Sequence, residues 1–120
     1  MEATGSVKAR TNDTAAERVV RKIADNLGLW YETHRPDLPG SPDLVFPNSR
    51  TVVFTHGCWW HFHSCQPEPT DEYWRKKQIR NQARDARTHA DLKNLGWNVL
   101  VIWECQSEDE VAVELLAAVS

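Results

Sequence analysis

Residues 43–56 read DLVFPNSRTVVFTH. Two apolar runs, 43–46 and 51–56, flank Pro47-Asn48-Ser49-Arg50, a turn composition, so the stretch predicts a β-hairpin. Val52-Val53-Phe54 is unbroken apolar sequence, which suits a strand buried on both faces. A third run, NVLVIW at 98–103, reads as a central strand. Between them, Thr70 or Asp71 can cap a long helix that runs to about Leu95 and ends at Gly96. A strand, a helical crossover and a second strand in one sheet make a parallel pair. The expected fold class is therefore α/β, with a mixed central sheet flanked by helices.

Working outward, Thr14-Ala15-Ala16-Glu17 fits a capping box, and Ala16, Val19, Val20, Ile23 and Leu27 recur at helical spacing. A helix is expected over 14–27, stopped by Gly28. Residues 30–35 alternate enough for a short strand, and the proline-rich 36–42 stretch is a loop. Ile79, Ala83, Ala86 and Ala90 give the long helix a narrow apolar seam. Ser107 can cap a last helix over 108–119, while 57–69 has no regular pattern.

At 120 residues the chain is one ordinary domain. Residues 1–12 are expected to be a short flexible arm and 13–120 a single domain. The net charge of −3 and pI near 5.9 exclude a generally basic coat protein, though not a local basic face. No apolar run has the length of a membrane span, and the first residues lack the apolar core of a secretion signal. A cytoplasmic, bacterial-type protein acting as a monomer away from any membrane is expected. Its three cysteines then suit a metal or free thiols better than a disulfide framework.

Asp43 heads a strand and is a candidate ligand for Mg²⁺; a turn aspartate after Pro42 is the plainer reading. Glu17 could face the same site through water, or could simply complete its capping box. Cys58, His63, Cys65 and Cys105 supply four thiolate or imidazole groups, the set that a structural zinc wants. Buried free thiols are the alternative, and His61 could replace His63 as ligand. His56 and His61 could serve as proton acceptors, or be surface or satisfied core histidines. Arg75, Lys76, Lys77, Arg80, Arg84 and Arg87 make the long helix basic at its start, for phosphate contact or as a solvated face.

FTHGCWWHFHSC at 54–65, with LPGSPDLVF, EYWRKK and GWNVLVIWEC, resembles the very-short-patch repair endonucleases over about residues 13–106. The resemblance implies a restriction-endonuclease-like core with a structural zinc, and Mg²⁺-dependent nicking of one DNA strand beside a T·G mismatch. By position, Asp43 would hold Mg²⁺ and Thr55 would hold it through its carbonyl. His61 would activate water, His56 would assist at the phosphate, and Glu17 would bind the metal–water network. Cys58, His63, Cys65 and Cys105 would be the zinc ligands. Trp59, Trp60 and Trp74 would wedge into the base stack, beside phosphate contacts from Arg75, Lys76, Lys77 and Arg80. The partner implied is mismatched double-stranded DNA.

Two departures from the family pattern stand out. Ser41 occupies the place of arginine in LPGRPD, and the N-terminal arm, with Lys8 and Arg10, is shorter than the family's basic arm. Two rival functions follow: a restriction-type or mobile-element endonuclease of the same fold with another DNA target, and a zinc-stabilised DNA-binding module without activity.

Overall fold

The computed structural model describes residues 15–58, 65 and 69–119. Its elements are α1 (Ala15–Asn26), β1 (Glu32–Thr33), β2 (Leu44–Phe46), a 3₁₀ turn (Pro47–Ser49), β3 (Thr51–His56), α2 (Glu72–Asn94), β4 (Asn98–Trp103) and α3 (Glu108–Val119). The strands form one sheet in the order β1-β2-β3-β4. The first three run antiparallel, with Leu44 opposite Val53. β4 lies parallel to β3, with Val53 opposite Leu100 and Thr55 opposite Ile102. The long helix between them is the crossover, as the sequence implies.

Strand alternation divides the core into two layers. Leu44, Phe46, Val53 and Ile102 face α1 and α3, where Val20, Ile23, Ala24, Val111 and Leu115 complete one cluster. Val45, Val52 and Phe54 face the other way, onto Leu38, Leu92 and Trp97. β3 is covered on both sides, which explains its unbroken apolar sequence.

Local chemistry sets the element ends. The Asp71 carboxylate accepts the Tyr73 N–H at 2.8 Å and caps α2. Ser107 and Glu110 form a reciprocal capping box at the start of α3, at 3.1 and 2.8 Å. At the end of α2, Gly96 takes φ +91°, and the Trp97 N–H returns to the Leu92 carbonyl at 3.0 Å. Arg50 ties this corner to the hairpin turn by donating to the Leu95 and Gly96 carbonyls and lying over the Trp97 ring.

Three expectations are corrected here. β4 is not a central strand: it ends the order of the described sheet and pairs there with β3 alone. The 30–35 strand shrinks to Glu32–Thr33, because Trp30 is exposed and only two residues pair with β2. The apolar seam of the long helix does not face the sheet: Ile79, Ala83, Ala86 and Ala90 are all exposed. α2 instead buries Gln78 and Leu92 and turns Asp85, Thr88 and His89 inward. Alanine methyls have little area to hide, so they do not dictate which face a helix presents. Among the described residues, no helix is long and apolar enough to cross a membrane.

Candidate active site

Because β2 runs against β3, the start of β2 meets the end of β3. Asp43, just before β2, donates its N–H to the Val53 carbonyl at 3.0 Å and accepts the His34 N–H at 3.3 Å. Its Oδ2 accepts the Thr55 N–H at 2.7 Å and the Thr55 hydroxyl at 3.0 Å. The sheet thus fixes both the backbone and the carboxylate. Carbonyls alternate along a strand. Those of Arg50 and His56 accept from β4's side, at Asn98 and Glu104, and that of Val53 accepts from Asp43. Thr55, two residues on, turns its carbonyl to the Asp43 side, past the end of β2.

Glu17 reaches the same place from α1. It is fully buried, and its Oε2 is bonded by Arg21 one turn on and by His34 Nε2 at 2.8 Å. Thr14, its capping-box partner by spacing, lies outside the described residues. Donor atoms of Glu17, His34 and Asp43 lie within 4.8 Å of one another. Burial raises the Glu17 pKa, Asp43 raises it further, and His34 and Arg21 oppose the rise. Burial likewise raises the Asp43 pKa, against the lowering effect of the two Thr55 hydrogen bonds. One buried and one half-buried carboxylate pressed together gain most from a cation between them, so this oxygen-rich donor set fits a hard divalent ion.

A cleft of about 660 Å³ opens beside this centre, between the Gly40–Ser41 loop, the end of β3 and α2. The loop approaches α2 so closely that a Cβ on Gly40 would stand 2.4 Å from Thr88 Cγ2. His56 is buried on the α2 side, stacked on His89 at 5.9 Å, edge-on to Trp103, with Nδ1 4.0 Å from Asp85. Arg84 also lines the cleft. Carboxylates from the α1 side and imidazoles from the α2 side therefore meet at one edge of the sheet.

The thiols gather at that edge too. Cys58 follows β3 and Cys105 follows β4, and with Cys65 their Sγ atoms lie within 4.8 Å of one another as free thiols. The Cys58 N–H donates to Glu104 Oε1 at 3.0 Å. Burial, reinforced by hydrogen bonds to Cys65 and Cys105, pushes the Cys58 thiol up to about 12. Three converging sulfurs suit a soft or borderline cation, which would deprotonate them on binding. The expected fourth ligand, His63, lies outside the described residues, as do His61, Trp59 and Trp60.

On α2, Arg75, Lys76 and Arg80 are exposed, and Lys77 lies over the rings of Tyr73 and Trp74 at 5.4 and 6.0 Å. Tyr73 is exposed and Trp74 half-buried. The sequence reading missed His34, Arg21, Asp85 and His89. Arg21 stands four residues after Glu17, a helical ion-pair spacing that could have been read. Asp85 and His89 share that spacing on one face of α2. Nothing marks His34, whose role follows from a left-handed backbone, φ +51°.

A family model described as DNA mismatch endonuclease Vsr matches residues 4–67. The chain is 42% identical over 111 residues to the type II nicking enzyme V.XorIIP of Xanthomonas oryzae pv. oryzae, across 89% of this chain and 82% of that one. It is 41% identical over 99 residues to the DNA mismatch endonuclease Vsr of Escherichia coli K12, across 79% of this chain and 64% of that one. The type II nicking enzyme V.NmeAIP of Neisseria meningitidis is 33% identical over 108 residues, with 87% and 77% covered. With its motif stretch inside the matched region and two of these relatives covered over more than three quarters of their length, the chain belongs to the Vsr family of DNA endonucleases.

Proposed function

We propose that the chain is a Mg²⁺-dependent endonuclease that nicks one strand of duplex DNA beside a T·G mismatch. The observation that carries this reading is the convergence of Glu17 and Asp43 at the mouth of a cleft also lined by Thr55 and His56. The name of the E. coli relative supports the mismatch as target, and the names of the others support nicking.

Asp43 and the Thr55 carbonyl would hold the Mg²⁺, with Glu17 ordering its water. When bound, the ion would polarise a phosphoryl oxygen and steady the leaving 3′ oxygen. His61 takes a proton from water, whose oxygen attacks phosphorus as the bond to the 3′ oxygen breaks. His56 steadies the phosphate from the α2 side. The leaving 3′ oxygen takes a proton from solvent, and the products are a 5′-phosphate and a 3′-hydroxyl. Zn²⁺ on Cys58, His63, Cys65 and Cys105 would hold the 57–69 segment, and His61 within it, against the ends of β3 and β4.

Trp59, Trp60 and Trp74 wedge into the base stack, and a mismatch is the cheapest step to open. Arg75, Lys76, Lys77 and Arg80 bind phosphates and set the register on the duplex. The test is a set of end-labelled duplexes carrying T·G, another mismatch or perfect pairs, each incubated with Mg²⁺. The reading expects one strand cut in the T·G duplex alone. Cutting of every duplex alike would favour the second reading, an endonuclease of the same fold with another target. That reading is favoured by Ser41, a neutral residue lining the cleft where the family pattern has arginine.

A further inference from the structure

His34 has no part in the reaction as described, yet it bonds the Glu17 carboxylate and the main chain of Asp43. Its main-chain N–H donates to the Asp43 carbonyl at 3.3 Å, and its Nε2 lies 2.8 Å from Glu17 Oε2. Against an ionised Glu17, which only accepts, Nε2 is the donor. The left-handed backbone at φ +51°, uncommon outside glycine, turns the chain out of β1 and lets the ring reach α1. Arg21 bonds the same Glu17 oxygen, but it sits on the same helix and moves with Glu17. His34 instead links that helix to the sheet at the residue before β2. Two like charges left to themselves drift apart, so such a link matters where they must share one ion.

We infer that His34 is a positioning residue of the cation site, whose hydrogen bond to Glu17 holds that carboxylate across from Asp43. This rests on the reading of Glu17 and Asp43 as the cation site. His34 acts on the ion through Glu17 and not as a ligand, since imidazole suits transition metals better than Mg²⁺.

The experiment titrates Mg²⁺ into the full chain and reads two things: the rise in melting temperature and the nicking rate on a T·G duplex. The wild type should show a saturable rise that Asp43→Ala lacks. His34→Ala should move the Mg²⁺ midpoint up by about tenfold or more in both readouts, as loss of a group supporting a ligand does. His34→Gln, which can still donate to Glu17, should recover most of that affinity, whereas His34→Met should not. His34→Ala combined with Glu17→Gln should bind no worse than Glu17→Gln alone.

A midpoint for His34→Ala equal to wild type, or additive losses in the double variant, would overturn the inference while leaving the cation site intact. So would a His34→Gln no better than His34→Met, which together decide the matter if His34→Ala does not fold. A wild type with no Mg²⁺-induced rise would overturn the cation site itself, and the inference with it.

Discussion

The carboxylate centre and the thiol cluster occupy the same edge of the sheet but are built in opposite ways. Asp43 is held by the main chain and hydroxyl of Thr55, and Glu17 is buried on a helix packed into the core. The fold sets their positions before any ion arrives, at the cost of pressing two acids together. Cys58 and Cys105 follow β3 and β4, Cys65 stands between them in the sequence, and of the three only Cys58 is buried. On the reading proposed above, a metal bound by the thiols would hold these chain segments together. A hard-cation site can be prepared by the sheet; a thiol site at a loop is completed by its ion.

The sharpest way to break this contrast is to remove each ion. Purified protein should carry about one zinc per chain. Cys105→Ala should lose it and become insoluble or inactive, since structural zinc contributes roughly 10–16 kcal/mol of apparent binding energy to folding. A soluble, active Cys105→Ala protein without zinc would leave the cluster as three ordinary thiols.

Asp43→Ala should spare the fold and DNA binding but slow nicking by on the order of a thousandfold, about 4 kcal/mol of transition-state stabilisation. Gel-shift and single-turnover assays on the same preparation separate the two, and a wild-type nicking rate would remove Asp43 from the site.

Asp43→Asn tests the acid–acid repulsion directly. With both carboxyl pKa values raised in the fold, the native protein binds more protons than the unfolded chain between the ordinary and the raised values. Stability without added divalent cation should therefore fall as pH climbs through that window, and the deficit should persist above it. Asparagine removes one charge and still accepts from Thr55. The variant should melt higher than wild type near pH 7.5 without Mg²⁺, with a flatter pH profile. A lower melting temperature would mean that the site is not strained by charge.

The smallest effect belongs to the basic helix. Lys76→Ala and Arg80→Ala should each weaken DNA binding modestly for all sequences, and each lower the slope of log affinity against log salt by about one. An unchanged slope would make this a solvated face.

How far the sequence carried depends on what each feature needs. β3 and β4 keep the bounds that their apolar runs imply: β3 is covered on both faces, while β4, at the end of the described sheet, buries only Ile102. Ser107 and Asp71 cap as their side-chain chemistry allows. The inward face of α2 was not legible, because it is chosen by a polar cleft and not by apolar area. It carries Asp85 and His89 toward His56, while the alanine row faces water. His34 was hidden for another reason: a single residue leaving the strand through a left-handed turn leaves no periodic trace.

The most direct test of the contrast is a crystal of the full chain soaked in Mn²⁺ as a stand-in for Mg²⁺, with anomalous data collected for manganese and for zinc. The account predicts a manganese peak against Asp43 and the Thr55 carbonyl, and a separate zinc peak among Cys58, Cys65 and Cys105. Manganese absent from Asp43, or both metals sharing the thiols alone, would contradict it.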